Sequence, residues 1–399
     1  MGLTQDLLKL GDRYGARNYK PLPVVLDRGE GAWVWDVDGK KYLDLLSAYS
    51  ALNFGHSHPE LVKVFQAQAA KLALCSRAFQ SEELLHFCRE MSEFCGMEAT
   101  LPMNSGTEAI ETALKVTRKW GALVKKVAEN QANIVVMANN FHGRSITVIS
   151  FSTEPIYRDH FGPYTPGFRI VPFGDAKALR QACDKNTIGV LLEPIQAEAG
   201  ILIPSVGYLP EVRKICDEFR CLMILDEIQT GLSRTGREFC FQHESAKPDI
   251  LVVGKSLGGG LMPVSAILTS RAVIDVIQPG EHGSTFGGNP LASAIARRSL
   301  KLLRELKLSE RAEEIGRRVQ KQLAELKSEK VRIVRGQGAL LGIELHPSAG
   351  GARQYCEKLA EVGVLCKETH DHVVRIAPPL TIDFNDLHWG IERIIQVLR

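Results

Sequence analysis

Nothing in this 399-residue chain is in strong excess, and several things are missing. Charge of one sign is lacking: 49 Lys and Arg against 46 Asp and Glu leave a formal net charge of +3. So small an imbalance supplies no field for gathering nucleic acid or docking on an acidic membrane. There is no apolar run of 18 or more residues, so no membrane-spanning helix is expected. The first twenty residues, MGLTQDLLKLGDRYGARNYK, have neither the long apolar core of a signal peptide nor the Ser/Arg-rich, acid-poor pattern of a transit peptide. The expected compartment is the cytoplasm, or the mitochondrial matrix should an import segment precede these residues. The nine cysteines (75, 88, 95, 183, 216, 221, 240, 356 and 366) include no CxxC pair, which leaves a zinc ribbon or thioredoxin-like motif unsupported. Their odd number and wide scatter fit reduced thiols, most of them small core residues. Internal repeats and low-complexity linkers are absent as well.

What is present is ordinary for a globular protein: 45% hydrophobic and 24% charged residues, in a length that suits one large domain with an appendage or two domains. Alternation in GAWVWDVDGKKYLDL predicts two short strands around a turn at Asp38-Gly39. Ser105 to Gly121, SGTEAIETALKVTRKWG, predicts a helix opened by Ser or Thr and closed by Gly. Three apolar runs then end in polar residues: IGVLLEP at Glu193, CLMILDE at Asp226 and DILVVGK at Lys255. YLPEVRKICDEFR, with helical apolar spacing, lies between the first two. This strand, helix, strand rhythm predicts a mainly parallel sheet, in which ligands sit beyond the carboxyl ends of the strands. Glu193, Asp226 and Lys255 are therefore expected on one edge. From about residue 290 the character changes. Ala, Leu, Glu, Lys and Arg dominate up to about 330 and predict long helices, followed by strand-like VRIVRG, ALLGIEL and HVVRIAP, as in a smaller α+β unit.

Some tempting motifs do not hold. Gly254-Lys255-Ser256 lacks the first glycine of a P-loop, whose place is taken by Asp249, and an apolar strand occupies the intervening residues. GQGALLG at 336–342 has its third glycine one place late for a dinucleotide fingerprint and runs into IEL rather than a helix; a turn between strands explains it better. His56 and His58 in FGHSHPE form an HxH pair without a further Cys or His cluster, and turn and helix-start residues explain them better than a metal.

Three features are more suggestive. A strand-end lysine usually snorkels to solvent, but Lys255 follows a buried-looking strand, precedes a glycine-rich turn and neighbours two carboxylates. A lysine shielded from water has a lowered pKa and becomes a nucleophile towards aldehydes. Asp226, at the end of an apolar run, is either a cap or ion-pair partner, or the counter-charge of a buried cation such as a protonated pyridine. In NSGTEAIETA, small and polar residues at a helix start either simply cap it or present free N–H groups to an anion such as phosphate.

Together the segments SGTEAIETALKVTRKWG, FHGR, EPIQAEAG, LDEIQTGLSRTG, KPDILVVGKSLGGG and HGSTFGGNPLA, in that order, resemble the class III pyridoxal-phosphate-dependent aminotransferases over nearly the whole chain. Within that class, the flanks YGARNYKPLPVVLDRGEG, LDLLSAYSALNFGHSHPEL and CKETHDHVVRIAPPL resemble the ornithine-using branch. The resemblance implies the type I α/β fold, with a mostly parallel central sheet, helices on both faces and a smaller C-terminal α+β domain. Its expected divisions are an N-terminal segment 1–55, a large cofactor-binding domain 56–289 and a small domain 290–399. It implies that Lys255 bonds covalently to pyridoxal phosphate and later acts as the base, and that Asp226 keeps the pyridine nitrogen protonated. Gln229 would contact the ring hydroxyl, Phe141 would cover one ring face, and His142 would lie beside it. Ser105, Gly106 and Thr107 would receive the phosphate, joined by Ser284 and Thr285 from a second subunit of a homodimer with shared sites. Tyr19 and Tyr49 match ornithine-recognising tyrosines, Arg144 matches the arginine for the distal carboxylate of 2-oxoglutarate, and Glu198 and Arg375 match a pair that switches between the substrates. Two positions depart from the pattern: Ala197 replaces a glycine in EPIQAEAG, and Ser233 stands in GLSRTG where a small residue is usual. Acetylornithine or 4-aminobutyrate aminotransferase is the same-class alternative. A non-catalytic cofactor-binding protein is the alternative from another class, opposed by the intact acid-base and substrate residues.

Overall fold

The structure is a computed structural model describing residues 2–324 and 326–399. Near the N-terminus, β1 (Leu26–Glu30), β2 (Trp33–Asp36) and β3 (Lys41–Asp44) form an antiparallel meander. The turn between β2 and β3 falls where Asp38-Gly39 predicts it, and Asp36 Oδ1 closes it by accepting from the N–H groups of Asp38 (3.1 Å) and Lys40 (2.8 Å).

The central sheet contains β4 (Ala99–Met103), β5 (Asn133–Met137), β6 (Phe168–Val171), β7 (Thr187–Leu192), β8 (Leu222–Asp226), β9 (Ile250–Val253) and β10 (Ser265–Thr269), in the spatial order β4-β10-β9-β8-β7-β5-β6. The pairs from β9 to β6 are parallel, and β10 runs antiparallel to both its neighbours. Strands β5, β7, β8 and β9 are buried throughout, as expected for a sheet covered on both faces. Their side chains divide by the two-residue period of a strand. Ile134, Val136, Ile224 and Val252 pack with the helix Gly106–Leu123 on one side, while Val135, Met137, Leu225 and Val253 face the larger core on the other.

The helix Gly106–Leu123 begins in a capping box. The Ser105 hydroxyl accepts from the Glu108 N–H (3.2 Å) and the Glu108 carboxylate accepts from the Ser105 N–H (2.8 Å). Gly121 does not close this helix, as its sequence position suggests; it lies inside, two residues before the end. A Cβ there would meet Ile188 at 2.5 Å, so the glycine is required by the close approach of helix to sheet.

Beyond the sheet come the long helices Pro290–Glu305 and Leu308–Ala324, then β11 (Val331–Gln337) and β12 (Leu340–Leu345). The GQGALLG stretch is the hairpin between these last two, as expected. The chain ends with β13 (Val364–Leu365), β14 (Lys367–Thr369), β15 (Val373–Ile376) and the helix Phe384–Leu398. β13 pairs in parallel with β3, so the last quarter of the chain completes the sheet of the first. No helix among the described residues is long and apolar enough to cross a membrane.

Candidate active site

Glu193, Asp226 and Lys255 follow or end β7, β8 and β9, three neighbours in the sheet, and all three line one cavity of about 780 Å³. Their convergence follows from the parallel arrangement, which brings three carboxyl ends to one edge. Lys255 takes a left-handed backbone (φ +46°) as the chain leaves β9 for a tight 3₁₀ turn. Strain of this kind costs roughly 1–3 kcal/mol and persists where surrounding structure holds it. Burial lowers the Lys255 pKa below the usual lysine range. Glu198, Asp226 and Glu193 oppose that shift, while the positive charge of Arg375 adds to it.

Asp226 is held at both oxygens: Oδ2 lies 2.7 Å from His142 Nδ1, and Oδ1 accepts from the Ile228 N–H (3.0 Å). The His142 ring is fully buried, and its Nε2 has no partner among the described residues. Glu193 accepts from the Phe141 N–H (2.8 Å), which fixes the backbone that carries Phe141 into the cavity. Burial, and next the charge of Asp226, push the Glu193 carboxyl well above its usual range.

Gly106 and Thr107 line the cavity at the N-terminus of an 18-residue helix, where free N–H groups and the helix dipole favour an anion. Gly143 (φ +119°) borders the same corner, and a Cβ there would meet Thr107 Oγ1 at 2.2 Å. Ser105 is exposed and its hydroxyl is committed to the capping box; it is not part of the lining. Ser284 and Thr285 are also outside this chain's cavity. Ser284 Oγ accepts from Asn104 Nδ2 (2.9 Å) and the Gly287 N–H (3.0 Å), and Thr285 is exposed.

Tyr19, Tyr49, Arg144, Glu198 and Gln229 line the cavity. Arg375, only 1% exposed, lies against it from β15. Its Nη1 donates to Glu198 Oε1 (2.9 Å) and Gln229 Oε1 (3.1 Å), and its Nη2 to the Ala197 carbonyl (3.1 Å) and Thr369 Oγ1 (3.1 Å). The Gln229 amide returns a bond to Glu198 (3.2 Å), so Gln229 joins this pair while also lining the cavity. Burial alone would raise the Glu198 pKa; Arg375, then Lys255 and Gln229, outweigh it and hold the carboxyl at about 2. The departure at Ala197 leaves this arrangement intact, since the carbonyl and not the side chain is used. Ser233, the other departure, sits at φ +74° and receives a bond from the Ser309 hydroxyl (3.0 Å).

Tyr49 reaches the site by an unusual route. Ser47, Ala48, Tyr49 and Ser50 all have left-handed backbones, with φ of 50°, 46°, 62° and 70°. Each such residue costs roughly 1–2 kcal/mol without glycine. Asp44 anchors the turn by accepting from the N–H groups of Leu46 (2.8 Å) and Ser47 (2.9 Å), while His56 holds its other oxygen (2.8 Å). His58 precedes the helix Pro59–Lys71. Sequence reasoning missed two residues here. Thr369 binds both Arg375 and the Glu198 carbonyl (2.5 Å), and Tyr157 lines the cavity beside Arg144. Thr369 lies within the CKETHDHVVRIAPPL flank; Tyr157 has no local signal.

The model of the family described as Aminotransferase class-III matches residues 14–398, and the chain belongs to that family. An ornithine aminotransferase of Brevibacillus brevis is 48% identical over 398 residues, covering 100% of this chain and 99% of the relative. An ornithine aminotransferase of Toxoplasma gondii, crystallised with oxidised glutathione and holding pyridoxal phosphate at partial occupancy in its active site, superposes with a TM-score of 0.98. It is 40% identical, with 99% of this chain and 94% of that one covered. An acetylornithine aminotransferase of Elizabethkingia anophelis is 43% identical with a TM-score of 0.90, covering 100% and 99%.

Proposed function

We propose that this chain is a pyridoxal-phosphate-dependent ornithine δ-aminotransferase, giving glutamate-5-semialdehyde from ornithine and glutamate from 2-oxoglutarate in a ping-pong cycle. The cavity's residues fit that cofactor. Lys255 supplies an amine for its aldehyde, Asp226 a carboxylate for its ring nitrogen, Phe141 and His142 a ring wall, and the N–H groups at Gly106 and Thr107 a seat for its phosphate. The crowded Gly143–Thr107 corner supports a backbone cradle, since a larger residue would fill it. When bound, pyridoxal phosphate supplies the aldehyde to which amines attach and a ring that takes up the electrons of the broken bond.

The protein's own part is positioning and proton transfer. Asp226, itself oriented by His142, favours a protonated ring nitrogen. Lys255, with its pKa lowered by burial, is available as a neutral base that moves the proton at the δ-carbon of ornithine. The observation that carries the substrate assignment is the pair of buried Arg375 with half-buried Glu198. A free guanidinium beside the reacting centre would attract ornithine's α-carboxylate and present the wrong amine. Paired with Glu198, Arg375 is neutralised and the δ-amine is left to react. Released from Glu198, Arg375 takes the α-carboxylate of glutamate or 2-oxoglutarate in a two-pronged contact. Tyr19 and Tyr49 would hold ornithine, and Arg144 the distal carboxylate of the dicarboxylates.

A homodimer is part of the reading. Ser284 and Thr285, turned away from this chain's cavity, would be offered to that of a second copy, and exposed Phe286 beside them supports a contact surface. The fold shared with an acetylornithine aminotransferase makes N-acetylornithine the second candidate donor. A donor panel of ornithine, N-acetylornithine and 4-aminobutyrate, with 2-oxoglutarate as acceptor, tests the assignment. Ornithine should give the highest kcat/KM and a semialdehyde product; preference for either other donor overturns it.

A further inference from the structure

Arg144 presents an unusual arrangement for a surface cation. It is exposed, and among the described residues no carboxylate pairs with it. Its guanidinium instead lies against aromatic rings, 4.5 Å from the centroid of Tyr157 and 5.9 Å from those of Phe141 and Tyr19. Tyr157 is the nearest of the three. It sits in the helical turn Pro155–Arg158, closed by bonds from the Tyr157 N–H to the Glu154 carbonyl (3.1 Å) and from the Asp159 N–H to the Pro155 carbonyl (2.8 Å). The Tyr157 ring meets Phe141 edge to face at 5.8 Å, and Phe141 is fixed in turn through its N–H on buried Glu193. A continuous line of contacts thus runs from the sheet edge to Arg144.

We infer that Tyr157 is a positioning residue for Arg144 and thereby favours dicarboxylic over monocarboxylic substrates. The inference rests on the role proposed above for Arg144. The physical reason lies in how the cation is held. A carboxylate partner would fix Arg144 but cancel its charge, and an incoming substrate carboxylate would have to displace it. The electron-rich face of Tyr157 and its hydroxyl hold the guanidinium without cancelling its charge, which stays available to an incoming carboxylate. 2-Oxoglutarate and glutamate bring a second carboxylate that uses this charge. Ornithine carries one carboxylate, which the proposal seats elsewhere, and so gains less from it.

Half-reactions of the holoenzyme with ornithine, glutamate and 2-oxoglutarate test this in Tyr157→Leu, Tyr157→Phe, Arg144→Gln and the Tyr157→Leu/Arg144→Gln double variant. A cation–ring contact at an exposed site corresponds to about a two- to five-fold effect on binding. Tyr157→Leu should therefore raise KM for 2-oxoglutarate and glutamate by about that factor, more than for ornithine, with a smaller change in kcat. Tyr157→Phe keeps the ring face and should recover most of the loss. In the Arg144→Gln background, Tyr157→Leu should add nothing to the dicarboxylate KM. Equal losses for all three substrates, a phenylalanine variant as poor as leucine, or an undiminished Tyr157→Leu effect without Arg144 each overturn the inference. If Arg144→Gln raises the 2-oxoglutarate KM while Tyr157→Leu does not, this inference alone fails. If Arg144→Gln leaves that KM unchanged, the proposed role of Arg144 fails with it.

Discussion

Arg375 carries a full charge with almost no solvent around it, and four acceptors share its donors. Removing one partner of a buried pair leaves an uncompensated charge and typically costs about 3–5 kcal/mol, so Glu198→Gln, which keeps a side-chain acceptor, is a cleaner probe than Glu198→Ala. If the pair switches between substrates, Glu198→Gln should slow the ornithine half-reaction by about tenfold or more, the effect of a lost charge-assisted bond. It should spare the glutamate half-reaction and raise α-transamination of ornithine. Single-turnover measurements separate the two, and parallel slowing without α-product would mark a permanent structural pair. The same carboxylate gives a pH dependence. Glu198 titrates at about 2 in the folded chain against an ordinary 4.5, so the folded state binds this proton less readily than the unfolded one. The associated stability is complete above the unfolded value and is lost as pH falls towards 2; it is on the order of 3 kcal/mol. Urea unfolding at pH 5 and pH 3 should show a smaller fall for Glu198→Gln than for the parent chain, and equal falls would remove Glu198 from the acid response. Lys255→Ala should reduce turnover by at least roughly 10²–10⁴-fold, the usual worth of a positioned acid-base group. Near-parent turnover would reject its proposed role.

The elements of this fold differ in how openly the sequence announces them. β7, β8 and β9 were legible because parallel strands covered on both faces must be apolar along their whole length. The edge on which Glu193, Asp226 and Lys255 meet then followed from strand direction. Gly121 was misread because a glycine near a helix end marks either a stop or a close approach, and only Ile188, from a distant strand, decides between them. The left-handed turn Ser47–Ser50 was illegible for a stronger reason: SAYS contains no glycine, and the bonds that hold it come from Asp44 and, through Asp44, His56. Thr369 and Tyr157 escaped notice because their roles exist only through long-range contacts with Arg375 and Arg144. The strain at this turn is itself testable. Ala48 is exposed at φ +46°, so Ala48→Gly should relieve roughly 1 kcal/mol at that residue. Part of the gain is offset by the freer unfolded chain, leaving a small net stabilisation, whereas Ala48→Val should destabilise. Chemical denaturation of the three chains checks the order, and a glycine variant less stable than the valine one would show that the turn is not strained.

At the scale of the whole molecule, Phe79 (70% exposed) and Phe286 (53%) are large apolar side chains that a lone chain leaves in water. Covering such surface is what a second copy would do, and a sedimentation measurement on the holoenzyme should give twice the 44.1 kDa of one chain. A monomer at micromolar concentration that still turns over would contradict the shared-site arrangement. The pairing of β3 with β13 has another outcome, set by the direction of protein synthesis. Lys40 Nζ bonds to the carbonyl of Ala360, 320 positions later, and the Ala377 N–H bonds to the Leu45 carbonyl beside the turn that carries Tyr49. A ribosome adding about 5–20 residues per second needs roughly 15–60 s to cover that interval. Throughout it, the early strands emerge without their partner, with an open edge available to other chains. Tyr49, proposed above to hold ornithine, is thus made well before the strand that completes the sheet beside its turn, and a nascent chain stopped short of residue 364 lacks Lys367, Glu368 and Thr369 of the cavity wall.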